Sequence, residues 1–209
     1  MRHLSIAVAS TLILATSAMA AGKRETVQHA SQPAPAKWAK EPDGFLGIKF
    51  SELFPQLPDC PRSSLGVVDF QQINQLPGLC FDGTSRSSYG HLWNLPKLGF
   101  SYSVTVMIAV GSPIDFTLTT SVDNYDDLVK VLIDRYGQPT SRTKGTVKTK
   151  VGAEFDNESL EWIGTRVSIS LDKRRDSIDT SAVSIMDREY WKTKLDQQQR
   201  EAAAGASKL

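Results

Sequence analysis

The chain has 209 residues, with 24 basic and 23 acidic side chains, 40% hydrophobic residues and two cysteines. This composition is typical of a globular protein and argues against collagen-like, low-complexity and cysteine-dense chains. The formal net charge is only +1, and no block of charge dominates the chain. The sequence therefore gives no electrostatic reason to expect binding to nucleic acid.

The first twenty residues carry the pattern of a secretory signal peptide. Arg2 precedes a mostly apolar stretch from Leu4 to Thr16, and the small residues Ala18 and Ala20 stand at the −3 and −1 positions of a cleavage site. We therefore predict a signal peptide over residues 1–20 and a periplasmic or secreted mature chain. The alternative is an uncleaved anchor, but a spanning helix needs about 20 apolar residues, and serine and threonine interrupt this shorter run.

The two cysteines, Cys60 and Cys80, lie twenty positions apart in a proline-rich stretch. In an exported protein an even pair of cysteines predicts one disulfide, which would stabilise the fold by about 3 kcal/mol in the chain-entropy model. A redox-active pair is the alternative, but it normally uses the closely spaced Cys-X-X-Cys arrangement.

The composition divides the chain into four parts. After the signal peptide, residues 21–43 are rich in Ala, Pro, Lys and Gln and predict a flexible linker, in which Trp38 either docks on the domain or stays exposed. Residues 44–190 predict one globular domain. Residues 191–209 predict the end of a C-terminal helix that begins near Asp187, followed by a disordered tail.

The clearest predicted helix runs over residues 124–136. Its apolar residues recur at three- and four-residue spacing, Asp123 could cap its first turn, and Gly137 followed by Pro139 would end it. The helix shows one apolar stripe, which indicates a core-facing element. A surface helix for a partner protein is the less favoured interpretation.

Alternating and β-rich segments occupy most of the remaining domain. We predict a strand over 45–50, then a short helical turn over 51–54, short strands over 66–70 and 79–81, a hairpin over 100–119 and a strand over 166–171. Strands interrupted by one helix and closed by another predict an α+β fold, in which a mostly antiparallel sheet is covered by the central amphipathic helix plus the C-terminal helix. Trp162 is expected in the core.

Catalytic groups are sparse in the predicted domain. His91 is its only histidine, no Gly-X-Ser-X-Gly elbow is present, and no cysteine or histidine spacing suggests a metal. We expect no metal and no cofactor. Carboxylates could still serve a glycan hydrolase; the candidate sets are Asp156, Glu158 and Glu161, and Asp123, Asp126 and Asp127.

A run of basic residues without an acid follows the central helix. Arg142, Lys144, Lys148 and Lys150 could bind an anionic glycan or an acidic protein. The favoured interpretation is an edge hairpin, because lysine on an edge strand discourages pairing between molecules.

The segment most suggestive of recognition extends from Arg86 to Pro96. If it is a strand, Tyr89, His91 and Trp93 share one face near Arg86, and this mixture is typical of interface hot spots. The same alternation fits a strand that packs on the core, which the pattern favours slightly. These four residues are our candidate binding residues.

From these observations we expect an exported, non-enzymatic interaction module of the bacterial envelope, whose partner is an envelope or secreted protein. Without its signal peptide the chain would have equal numbers of acidic and basic side chains, so recognition would depend on short-range contacts. We expect no nucleic-acid partner and no stable membrane insertion after cleavage. The alternatives are a carboxylate-dependent cell-wall glycan hydrolase and an inhibitor of a secreted enzyme that uses the disulfide-linked loop.

Overall fold

The computed structural model describes residues 38–83 and 88–207. Eight strands form one antiparallel sheet in the order β3-β4-β5-β6-β10-β9-β8-β7, and two short strands form a separate hairpin. The strands are β1 (Gly44–Phe45), β2 (Ile48–Lys49), β3 (Cys80–Asp82), β4 (Tyr89–Trp93), β5 (Tyr102–Ala109), β6 (Ser112–Ser121), β7 (Ser141–Lys148), β8 (Glu154–Ile163), β9 (Val167–Asp172) and β10 (Thr180–Asp187). The helices are α1 (Phe70–Ile73), α2 (Tyr125–Tyr136) and α3 (Arg188–Ala206).

The large sheet consists of two four-stranded meanders. Strands β3 to β6 follow one another across one half, helix α2 carries the chain to the far edge, and β7 to β10 return toward the centre. The two halves join where β10 pairs with β6, with Val183 opposite Leu118 and Ile185 opposite Phe116. The predicted α+β fold with a mostly antiparallel sheet is confirmed.

One face of the sheet, which we call the inner face, carries the hydrophobic core. Directly opposed residues share a face, and one such row is completely or almost completely buried from β4 to β8: Leu92, Val104, Leu118, Val183, Leu171 and Leu160. Trp162 lies in the adjacent row and is buried, as the sequence predicts. Helix α2 covers this face with its buried side chains, among them Leu128 and Leu132.

The central helix matches its predicted range closely but begins differently. Asp123 is not the cap: a short 3₁₀ turn over Val122–Asn124 precedes α2, and the Ser121 side chain accepts the amide N–H of Asp123. Gly137 follows the helix with φ of 82°, in the left-handed region where glycine is favoured. Gly137 therefore ends the helix as predicted. The capping side chain is that of Ser121, two residues before the predicted Asp123.

The N-terminal part of the described chain packs more extensively than predicted. The indole of Trp38 is buried, and its Nε1 donates to the Tyr136 carbonyl oxygen at 2.7 Å. The Glu41 carboxylate accepts three backbone N–H groups, from 165 to 167, at 2.5–2.9 Å. Packing on the domain therefore starts before Gly44, inside the range predicted to be a linker.

Three local predictions in the first part of the domain are wrong. In place of the predicted strand over 45–50, the chain forms the β1–β2 hairpin, whose strands have two residues each and which turns at Leu46 and Gly47. The helical turn predicted over 51–54 is absent. The predicted strand over 66–70 is also absent, since α1 begins at Phe70. These short segments depend on tertiary contacts more than on local periodicity.

The C-terminal helix begins where it was predicted but continues further. Asp187 caps α3 by accepting the amide N–H groups of Glu189 and Tyr190, and the helix ends at Ala206. None of its residues is buried, and its first turns line a groove with Ser168 and Met186 of the sheet. Within the described part of the chain, no helix has the length and apolarity needed to cross a membrane.

Candidate binding surface

The face of the sheet opposite to α2, which we call the outer face, is polar over most of its area. The row that includes His91 continues through Thr105, Thr117, Ser184 and Ser170. A polar face of this kind is typical of an antiparallel sheet with one face in contact with water. The exception lies at the β4 end of the sheet, where aromatic side chains replace serine and threonine.

Four aromatic side chains form a continuous series there, which we call the aromatic row: Phe70, Trp93, His91 and Tyr89. The ring centroids are 5.2 Å apart for Phe70 and Trp93, 6.1 Å for Trp93 and His91, and 5.8 Å for His91 and Tyr89. Phe70 is 57% exposed and Tyr89 is 50% exposed. The row therefore offers accessible aromatic surface at both ends.

Strand β4 places three of these side chains on the outer face. Gly90 and Leu92 point to the inner face, where both are buried, so the alternate residues point outward. Gly90 leaves space that Phe81 fills, since a Cβ at this glycine would lie 2.3 Å from the Phe81 ring. The absence of a side chain at Gly90 thus allows β3 and its core phenylalanine to pack closely on β4.

The fourth member of the row comes from the loop that the disulfide closes. The predicted bond between Cys60 and Cys80 is present, and both cysteines are buried together with Ile73 of α1. Asp69 caps α1 by accepting the amide N–H groups of residues 71 and 72, and these hydrogen bonds lower the pKa of its carboxyl group. The disulfide and this cap together hold Phe70 against Trp93.

A groove continues the aromatic row on the side of Trp93. Its volume is about 580 Å³, and its lining includes Phe70, Trp93, Asn94, Phe100 and Tyr102. The indole Nε1 of Trp93 is buried without a hydrogen-bond partner among the described residues. Buried donors are normally paired, so this unpaired N–H group is an exception among the described residues.

A second exposed feature lies within the disulfide loop. Leu65, at its tip, is 87% exposed, and Val67 is also exposed. The tip is held by internal hydrogen bonds: the Arg62 guanidinium donates to the Gly66 carbonyl oxygen at 2.6 Å, and the Ser63 amide donates to the Val67 carbonyl oxygen at 2.8 Å. The loop thus presents apolar side chains on a braced backbone.

The structure brings together three of the four candidate binding residues. Tyr89, His91 and Trp93 are adjacent, whereas Arg86 lies outside the described residues. None of the three belongs to the main core, but Trp93 packs on the smaller buried cluster of Cys60, Ile73 and Cys80, so core packing, the interpretation that the alternation favoured slightly, applies to Trp93 in part. Phe70 was not selected from the sequence, because a four-residue helix has no periodicity; Asp69 as an N-cap residue was the available signal.

The candidate catalytic carboxylate with the clearest surroundings is Glu158. Its side chain is only 10% exposed and is held by two 2.8 Å hydrogen bonds from Arg142 and one of 2.8 Å from the Tyr125 hydroxyl. The Arg142 hydrogen bonds are the main reason why the pKa of Glu158 falls to about 2. A general acid needs a raised pKa, so Glu158 does not have the properties of one.

Asp127, Lys144 and Lys148, which were also singled out from the sequence, lie close to groups of opposite charge. Asp127 at the start of α2 binds Lys130 at 2.9 Å. In the β7–β8 hairpin, Lys148 lies 3.4 Å from Glu154 and Lys144 lies 3.9 Å from Glu158. The basic run therefore faces a row of acids across an edge hairpin, as the favoured interpretation expects, which weakens its attraction for an anionic partner.

One acidic residue with an unusual environment was missed. Asp115 lies on the outer face between Met107 and Met186 of the neighbouring strands, and burial raises the pKa of its carboxyl group. The Asp115 carboxylate accepts a hydrogen bond from the Thr117 hydroxyl at 3.0 Å. The alternation of β6 indicates which face Asp115 occupies. Its position beside Met186 depends on the pairing of β6 with β10, which are not consecutive in the chain.

Across residues 38–83 and 88–207, no three His, Cys, Asp or Glu side chains come together as metal ligands. Comparison of the chain with family models, with curated proteins and with solved structures finds no match.

Proposed function

We propose that this protein is an exported, non-enzymatic interaction module that binds another protein of the bacterial envelope, or a secreted protein, through the aromatic row. The observation that carries the proposal is the row itself. Four aromatic rings contact one another outside the main core, on a strand and a disulfide-closed loop, and both end members are at least half exposed. Aromatic anchors on preorganised elements are characteristic of binding hot spots.

The groove next to Trp93 gives the row a means of specificity. A partner chain that covers the rings can insert a side chain into this groove, between Phe70, Trp93 and Phe100. The polar remainder of the outer face would then form a hydrated rim. This arrangement of an apolar centre and a polar rim is usual for protein interfaces.

Export is the other part of the proposal. It is supported by the signal-like pattern of residues 1–20, which lie outside the described residues, and by the disulfide, since such bonds persist in oxidising compartments. Mass spectrometry of the protein from a periplasmic extract should find a chain that begins at Ala21 with both sulfurs oxidised. A full-length, reduced chain recovered from the cytoplasm would contradict this part.

The binding part can be tested by site-specific photocrosslinking in the oxidised protein. A photoreactive phenylalanine analogue at Tyr89 should give one dominant adduct in envelope fractions, and Phe70→Ala should reduce its yield about tenfold, since a hot-spot truncation costs about 1.4 kcal/mol or more. The same analogue at Val151, which is 92% exposed on the β7–β8 hairpin, is the matched control.

The adduct must depend on the aromatic row for the proposal to stand. Equal crosslinking from positions 89 and 151, or a yield that Phe70→Ala does not change, would show that the row is not a docking surface. Turnover of a cell-wall glycan by the purified protein would overturn its non-enzymatic character.

The braced tip of the disulfide loop supports a second candidate function, inhibition of a secreted enzyme. Leu65 projects from a loop held by the disulfide and by backbone hydrogen bonds, so little conformational entropy would be lost when it enters a cleft. Inhibition should be lost on reduction and in Leu65→Asp. It should persist in Val110→Asp, which changes an equally exposed apolar residue outside this loop. Inhibition unaffected by Leu65→Asp would exclude this mode.

A further inference from the structure

A cavity of about 400 Å³ lies on the inner side of the sheet, and none of the four residues of the aromatic row lines it. Helix α2 forms one wall, the β1–β2 hairpin forms a second, and Leu98, Tyr102 and Leu118 contribute from the sheet and the loop before β5. Most of the lining is apolar. Protein interiors are packed with few voids larger than a water molecule, so an apolar space of this size has the dimensions of a ligand site, for which about 300–1,000 Å³ is usual.

The hairpin that covers this cavity is joined to the large sheet by side-chain packing and not by strand pairing, since Ile48 is buried and the Phe45 ring centroid lies 5.7 Å from that of Phe116. Each of its strands has two residues, and it pairs with no strand of the large sheet. Its turn places Leu46, which lines the cavity, at φ of 53°, a conformation that leucine rarely adopts. Isolated two-stranded hairpins are marginally stable, and backbone strain of this kind occurs at ligand clamps.

The polar groups of the cavity favour a particular head group. Arg135 and Tyr136 are consecutive residues in the last turn of α2, and both line the cavity. No carboxylate of the described residues lies within 4 Å of the Arg135 guanidinium. A guanidinium can donate two parallel hydrogen bonds to a carboxylate. Asp43 also lines the cavity, so its negative charge would oppose a bound anion.

We propose that this cavity binds a medium-chain fatty acid, with the single aliphatic chain between α2 and the β1–β2 hairpin and the carboxylate at Arg135. The volume is at the lower end of the range for ligand sites, which suits one chain rather than a two-chain lipid. This site shares Pro96 and Tyr102 with the groove beside Trp93, but it includes none of the four aromatic-row residues, so variants of the row and variants of the cavity test the two proposals independently.

The experiment is calorimetric titration of the oxidised protein with dodecanoate and, as a neutral probe of the same chain length, dodecan-1-ol. Dodecanoate should bind with a stoichiometry of one. Arg135→Gln should weaken dodecanoate about fivefold, as for an exposed ion pair, and leave dodecan-1-ol unchanged. Asp43→Asn should tighten dodecanoate, because it removes a like charge. Arg200→Gln, on exposed α3, is the control for loss of a cation elsewhere.

A filled-cavity variant separates this site from adsorption elsewhere on the protein. Val131→Trp projects from a partly exposed position of α2 into the cavity, and it should abolish binding of both probes while leaving the circular dichroism spectrum intact. The proposal is overturned by absence of saturable dodecanoate binding, by binding that persists in folded Val131→Trp, or by equal weakening of acid and alcohol in Arg135→Gln.

Discussion

Glu158 shows how single residues hold this fold together. The carboxylate comes from β8, the guanidinium of Arg142 from β7 and the hydroxyl of Tyr125 from α2, so one charged group links three elements. Burial, followed by the hydrogen bond to Glu158, raises the pKa of Tyr125 above its usual range. The phenol therefore remains a donor throughout the physiological range, and the network depends on whether Glu158 is ionised.

This dependence predicts how stability changes with pH. The pKa of Glu158 in the folded protein is about 2, below the ordinary value of 4.5 for a glutamate, so its contribution to stability is complete above pH 5 and is lost as pH falls toward 2. In Glu158→Gln we expect a loss of about 2 kcal/mol in the free energy of unfolding at pH 7. The difference between the two proteins should disappear near pH 2. Urea unfolding at a series of pH values measures it.

The control for this prediction is Glu154→Gln on the same strand. Glu154 is exposed and only 3.4 Å from Lys148, and such surface pairs contribute about 0–1 kcal/mol. Its difference from the wild type should be small and nearly independent of pH. If the difference in free energy of unfolding between Glu158→Gln and the wild type is equally independent of pH, the network does not stabilise the fold through the charge of Glu158.

At the scale of elements, Gly90 decides whether β3 can pack against β4. A Cβ added there would lie 2.3–2.4 Å from the Phe81 ring and 3.0 Å from the Asp82 carbonyl oxygen. Gly90→Ala should therefore destabilise the fold by about 1–3 kcal/mol, as overpacking does. Gly145→Ala in β7 is the matched control, since nothing lies within 4 Å of the added Cβ, and it should be neutral or slightly stabilising in the same urea titration.

The elements that could be predicted are those with enough residues to show a period. Helix α2 has three turns of apolar spacing, and the β5–β6 hairpin has long alternating strands. The β1–β2 hairpin and α1 were missed because two to four residues carry no period. The aromatic row was found in part, since alternation places Tyr89, His91 and Trp93 together, but which face of β4 meets the core depends on Gly90 and Leu92 finding neighbours across the sheet.

At the scale of the whole molecule, the two meanders are joined by contacts that are distant in sequence. The pairing of β6 with β10 brings together residues more than fifty positions apart, which no local pattern encodes. Trp38 adds a connection from the start of the described chain. Its indole and that of Trp162 donate to the consecutive carbonyl oxygens of Tyr136 and Gly137, both at 2.7 Å, and thereby satisfy the end of α2.

The position of Trp38 predicts that residues 38–43, which fall in the range expected to be a linker, are part of the fold. Trp38 is 8% exposed and also packs edge-on against Tyr136, with ring centroids 6.1 Å apart. Trp38→Ala should lower the free energy of unfolding by about 3–5 kcal/mol, as for other buried tryptophans. Trp191→Ala is the matched control, because this α3 residue is 38% exposed and its loss should cost less than about 1 kcal/mol. Equal losses in the two variants, measured by urea unfolding of the oxidised proteins, would show that the N-terminal segment does not anchor α2 to the domain.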